Sequence, residues 1–160
     1  MTDDAHLDYE NLDVYRLAIE FLRLSMQVTA ALPRGESELR SQLKRASMSI
    51  PLNVAEASGK PTGADRARYH AIARGSAMEC GALLDVCAIA GYVAPADAQK
   101  GKRLIVRIVA MLSRMCRCIA HAHAHAHAHE DEHEHEHEHE HERRRAEAFG
   151  KRVAYGGERR

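Results

Sequence analysis

The chain has no tryptophan, and its 160 residues hold only two Phe and five Tyr. With so few aromatics, a core must be built from Leu, Ile, Val, Ala and Met, which suits close helix packing better than a β-sandwich. Proline is scarce too, at four in all, so long helices can run uninterrupted. No apolar run approaches the ~18 residues of a membrane span. The N-terminus, Met1-Thr2-Asp3-Asp4, lacks the basic and apolar regions of a secretory signal, so the expected compartment is the cytoplasm. Four cysteines agree with that. Cys80 and Cys87 lie one heptad apart, about 10 Å along a helix. That is too far for a disulfide, and both read as small core residues. Phosphate-binding Gly-rich loops, dinucleotide fingerprints and a hydrolase triad are all missing.

What is present is helical periodicity, repeated four times. Asp8 or Asn11 is expected to cap a first helix that runs to about Leu32, where Pro33-Arg34-Gly35 stops it. Its apolar stripe is Val14, Leu17, Ala18, Phe21, Ser25, Val28 and Leu32, and a second stripe is Tyr15, Ile19, Leu22 and Met26. Apolar residues around so much of the circumference imply cover on several sides, and hence an oligomer. Ser37 opens a second helix with core positions Leu39, Leu43, Ala46, Ile50 and Val54. Pro51 lies inside it and is expected to kink it near Ser47. A third helix spans about Ala64 to Ala90. Its expected buried face is Tyr69, Ile72, Ala73, Ser76, Cys80, Leu83, Leu84 and Cys87, with Gly75 and Gly81 at close helix approaches. Pro95 starts the fourth helix, with Leu104 or Ile105, Ile108, Leu112, Met115 and Ile119 inward. Short connections predict an all-α fold, an up-down-up-down antiparallel four-helix bundle over residues 1–120.

Residues 121–160 differ in kind. Ala and His alternate up to His129, and Glu and His alternate from Glu132 to Glu142. This low-complexity repeat, with its Arg/Gly-rich end, is expected to be disordered or to extend the last helix. Its histidines are His121, His123, His125, His127, His129, His133, His135, His137, His139 and His141. Neutral imidazole binds zinc, nickel and copper, so adventitious metal on the tail is expected, although no cofactor is required. Ten protons would also carry the tail from −3 to +7 around pH ~6.5.

The zero net charge hides a pattern. Residues 1–39 hold three Lys/Arg against eight Asp/Glu, net −5, and residues 40–120 hold thirteen against five, net +8. Residues 121–160 hold seven against ten, net −3. A basic middle suggests a polyanion or self-association. The candidate phosphate contacts are Arg40, Lys44 and Arg45 on helix two and Arg66, Arg68 and Arg74 on helix three. On helix four they are Lys100, Arg103, Arg107, Arg114 and Arg117, in a stretch with no acid between Asp97 and Glu130. Clustered positive charge binds nucleic acid by counterion release. Scarce aromatics argue against reading single-stranded bases. Ser49, Asn53 and Glu56 form a polar stripe on helix two. Asn53 and Glu56 are expected to repair the backbone freed by Pro51 or to join subunits, and Glu79 to meet Arg45 or Arg74.

Two segments carry a resemblance. Residues 41–56 read Ser-Gln-Leu-Lys-Arg-Ala-Ser-Met-Ser-Ile-Pro-Leu-Asn-Val-Ala-Glu, and residues 69–79 read Tyr-His-Ala-Ile-Ala-Arg-Gly-Ser-Ala-Met-Glu. The chain resembles, over roughly residues 9–119, the four-helix-bundle family first named from proteins encoded in intervening sequences of bacterial 23S ribosomal RNA. That family includes the accessory proteins of diversity-generating retroelements. The resemblance implies a homo-oligomer, a pentamer, with a basic surface. For the retroelement proteins it implies binding of RNA or DNA and contact with a reverse transcriptase. Ala57 stands where the family has Gly, and Cys80 where Leu is common. The functional expectation is a non-enzymatic, homo-oligomeric adaptor that binds nucleic acid and not membrane. The alternative is a metal-binding or metal-buffering protein acting through its tail.

Overall fold

Four α-helices follow one another in the computed structural model, which describes residues 6–119. They are α1 (Asp13–Ala31), α2 (Ser37–Ser58), α3 (Gly63–Ile89) and α4 (95–119), preceded by a 3-10 turn at Asp8–Asn11. The His-rich repeat and the Arg/Gly-rich end lie outside the described residues. No helix among the described residues is long and apolar enough to cross a membrane.

Contacts between helices set the topology. Ser25 of α1 meets Ser47 of α2, and Thr29 meets Arg40, so the two helices run in opposite directions. Ser49 meets Ser76, and Lys60 lies over the Tyr69 ring, which makes α2 and α3 antiparallel. Lys102 reaches Gly81, and Cys116 reaches Ala67, which does the same for α3 and α4. Lys100 of α4 returns beside Glu20 of α1 and closes the up-down-up-down bundle.

Local chemistry explains most helix ends. Thr62 caps α3: its Oγ1 accepts from the Asp65 N–H at 3.1 Å and donates to Asp65 Oδ2 at 2.6 Å. Gly91 ends the same helix at φ +73, a left-handed conformation that suits glycine. There the Tyr92 N–H bonds the Cys87 carbonyl and the Gly91 N–H bonds the Ala88 carbonyl. The start of α1 differs from expectation. Asp8 and Asn11 fall within the 3-10 turn, Leu12 holds the cap position, and no side chain caps the helix. Asn11 Oδ1 instead accepts from Arg16 at 3.4 Å.

The core is aliphatic. Phe21, Leu43, Ile50, Leu84, Ile108 and Leu112 are its largest fully buried side chains. The first apolar stripe of α1 is buried throughout, and both Leu104 and Ile105 are buried on α4. The second stripe of α1 (Tyr15, Ile19, Leu22 and Met26) is half-buried within this single chain, so α1 is not the surplus apolar surface. The largest share of that surplus lies on α3, which exposes Ile72, Met78, Val86 and Ile89. The expected face of α3 is corrected accordingly. Ile72 is exposed, Tyr69 and Ser76 are half-buried, and His70 and Ala77 are buried instead. α3 is apolar on most sides, and the stripe that turns inward is the one continuous with Ala73, Cys80, Leu84 and Cys87.

Pro51 is buried inside α2. Two expectations, for Asn53 and for Gly75, are corrected. Asn53 does not repair the Ser47 carbonyl that Pro51 leaves free. Its Nδ2 donates to the Ser49 carbonyl at 2.8 Å and to Ser49 Oγ at 3.0 Å. A helical side chain bonds back one turn, and Ser47 lies beyond that reach. Among the glycines, Gly75 has no neighbour within 4 Å, so it marks no close approach inside the chain, although it weakens a helix by about 1 kcal/mol against Ala. Gly81 meets Ile105 Cγ2 at ordinary contact distance, 3.5 Å from where a Cβ would stand.

The tightest glycine is Gly101, where α4 crosses α1 and α3. A Cβ there would lie 2.7 Å from Leu84 Cδ1 and 3.2 Å from Leu24 Cδ2. Both leucines are buried, so an added methyl must displace their side-chain ends within the core. Gly101→Ala is therefore expected to lower stability by about 1–2 kcal/mol, overpacking outweighing the gain in helix propensity. Urea unfolding checks this, and an unchanged or raised midpoint would refute the crossing.

Candidate nucleic-acid interface

The basic residues form no single surface. Arg40 is withdrawn from it. Its guanidinium donates to the carbonyls of Thr29 at 3.0 Å, Leu32 at 2.6 Å and Pro33 at 3.0 Å. These belong to the C-terminal end of α1, whose last carbonyls have no helical partner, and a cation there also meets the negative end of the helix dipole. The short turn into α2 returns Arg40 to that end, which periodicity within α2 does not reveal. Lys44 and Arg45 stand exposed on the outer side of α2, one turn before Met48 and two turns before Leu52. Arg66, Arg68 and Arg74 are exposed on α3. At about 100° per residue they point in three directions and make no common patch.

α4 differs. Lys100 lies 3.8 Å from Glu20 and is partly neutralised. Arg103, Arg107, Arg114 and Arg117 are exposed on one side of the helix, and none has an acidic partner among the described residues. The line rises about 20 Å along the axis. Lys102 is turned to the other side, where it pairs with Asp85 at 2.5 Å and donates to the Gly81 carbonyl at 3.1 Å. An open groove beside the N-terminal part of α4 is lined by Glu10, Arg16, Glu20, Arg23 and Lys100. Its charges are of both signs, so it does not prolong the arginine line.

The polar residues of α2 serve packing. Ser49 Oγ, already bonded by Asn53, accepts from Ser76 Oγ at 2.8 Å and ties α2 to α3. Glu56 is exposed and pairs with Lys60 at 3.0 Å; that partner holds its carboxyl below the ordinary range. Glu79 is exposed and pairs with neither Arg45 nor Arg74 among the described residues.

The cysteines of α3 are inert. Burial, with the Glu79 charge, pushes the Cys80 thiol up to about 12, and burial raises Cys87 as well. Cys116 is half-buried, and its thiol lies 3.7 Å from the Ala67 carbonyl, turned toward α3. No group of three His, Cys, Asp or Glu side chains able to hold a metal occurs among the described residues. The ten tail histidines proposed as ligands lie outside them.

Sequence reasoning missed His70. It is 4% exposed, and its Nδ1 has no hydrogen-bond partner. Burial disfavours the imidazolium and lowers its pKa from the ordinary 6.5. The unfolded chain then takes up this proton before the folded one does. His70 contributes its stability fully above the ordinary value, and the contribution falls as pH drops below it. The expected loss is up to about 1.4 kcal/mol per pH unit until the folded imidazole itself titrates. Denaturation midpoints of the intact chain and of His70→Leu, compared from pH 7 to 5, check this. Equal slopes would refute it.

Comparison with known proteins adds the lineage. Residues 10–114 match the model of the 23S rRNA-intervening sequence protein family. A solved structure from Bacteroides thetaiotaomicron VPI-5482, a protein of unknown function from the S23 ribosomal protein family, is similar at 21% identity with a TM-score of 0.61. The likeness covers 64% of this chain and 97% of that chain. At that identity it shows the fold alone. No curated protein matches.

Proposed function

The chain belongs to the 23S rRNA-intervening sequence protein family, and on that premise we propose that it is a non-enzymatic, homo-oligomeric adaptor that binds nucleic acid through the outer side of α4. The observation that carries this reading is the line Arg103, Arg107, Arg114 and Arg117, exposed and without acidic partners among the described residues. Such a line contacts successive phosphates and reads charge, not sequence. The few aromatics among the described residues are otherwise engaged: Tyr9 packs on Tyr15 at 4.8 Å, Tyr69 lies under Lys60, Tyr92 donates to Glu36 at 2.9 Å, and Phe21 is buried. Stacking on bases is therefore no part of the reading.

Fluorescence anisotropy with a labelled RNA duplex and a DNA duplex of the same length, titrated across salt, tests it. Binding that weakens steeply with salt and shows little sequence preference is expected. No binding at ~50 mM salt would overturn it.

The ten-histidine repeat supports a second reading, a metal-buffering tail carried by the bundle. Truncation after Ala120 separates the two. Under the first reading duplex binding survives truncation, and under the second nickel and zinc binding is lost.

A further inference from the structure

Half of the large apolar side chains that stand exposed among the described residues are on α3. Met78 stands on an outward line of that helix, Arg68, Ala71, Gly75, Met78, Ala82 and Asp85, all exposed and spaced alternately three and four apart, and Ile72 and Val86 flank it. Ile89 continues the line at 89% exposure. This is the spacing of a helix–helix seam. Nothing among the described residues covers it, and a Cβ at Gly75 would stand in open space.

From this line we infer that α3 pairs antiparallel with α3 of a second copy, the two-fold axis passing between Ser76 and Ala77. The inference rests on the self-association proposed above and names its surface. In that register the line is complementary to itself. Arg68 falls opposite Asp85 of the second copy, Ala71 opposite Ala82, and Gly75 opposite Met78. The two charges on the line are of opposite sign and meet each other. The longest side chain on its central turns meets the residue with none. The small residues let the two backbones approach. A parallel pairing would set Arg68 on Arg68, Asp85 on Asp85 and Met78 on Met78, opposing like charges.

Asp85 keeps capacity for the second copy. Lys102 takes its Oδ2, and the side chain remains 57% exposed. Arg68 has no acidic partner of its own among the described residues. A two-fold contact uses the same patch on both copies, whereas a ring of five joins unlike patches. The outer side of α3 is thus the pairing surface, and any ring contact lies elsewhere.

Sedimentation of the full chain at micromolar concentration tests the pairing, with Arg68→Glu, Asp85→Lys and their equimolar mixture. Either variant alone sets like charges opposite each other at both ends of the seam, and a tenfold or greater weakening of association is expected. In the mixture each introduced charge meets its opposite, and association returns. Rescue by mixing also shows that both variants are folded, because Asp85→Lys forfeits the Lys102 pair. If the variants associate as the unaltered chain does, the α3 pairing is overturned while self-association stands. If both weaken and mixing fails to rescue them, with helical circular dichroism intact, the antiparallel register is overturned. A monomeric unaltered chain overturns both the pairing and the oligomeric reading.

Discussion

Phe21→Ala is expected to lower the stability of the bundle by about 3–5 kcal/mol. Phe21 is fully buried on α1, and it is the one phenylalanine among the described residues. Its ring reaches the crossing of α1 and α4, where Cε2 lies 3.7 Å from the Cβ position of Gly101. Truncation leaves a void in the buried cluster that also holds Leu84 and Ile108, and a close-packed interior closes such a void only in part. A domain of this size is stable by roughly 5–15 kcal/mol, so the variant forfeits a large share. Thermal unfolding at fixed protein concentration should show a midpoint lowered by about 15 °C. Phe21→Leu should lose far less, since most of the volume is kept. A midpoint within a few degrees of the unaltered chain for Phe21→Ala would contradict the packing described.

The second large effect concerns binding. Replacing Arg103, Arg107 and Arg114 together by Ala is expected to weaken duplex binding by roughly two orders of magnitude at ~0.1 M salt. The slope of log affinity against log salt should flatten by about 2.7, the share of three phosphate contacts. The bundle should stay folded, because all three side chains are exposed and none has an acidic partner among the described residues. Arg40→Ala supplies the contrast. It should leave the slope unchanged and lower stability by about 1.5–3 kcal/mol, because it frees carbonyls at the end of α1. Binding unaffected by the triple replacement would remove the α4 surface from the proposed function.

Much of the fold was legible in the sequence because it depends on neighbours in the chain. The buried stripe of α1, the inward residues of α4, the stop at Gly91 and the start at Pro95 follow from three-and-four spacing and from end chemistry. So does the core role of Cys80 and Cys87. The candidate site was legible only in part. The arginine line of α4 lies on one helix face and could be read from spacing. Arg40 could not, because its acceptors belong to another helix brought back by the turn at Leu32–Glu36.

Sequence alone determined an aliphatic core, through its scarcity of aromatics, and a helical fold, through its three-and-four spacing. It did not determine how α3 is rotated about its axis. That helix carries apolar residues on most sides, so periodicity alone allows more than one inward stripe. Only the neighbouring helices decided that His70 and Ala77 turn in while Ile72 and Met78 turn out. The same holds for the glycines. Gly75 and Gly101 are alike in sequence, each a helix-weakening residue within a helix. Their difference is the presence of Leu84 and Leu24 beside one and empty space beside the other. Local propensity is set by a residue and its turn, whereas burial is set by what three other helices bring to it.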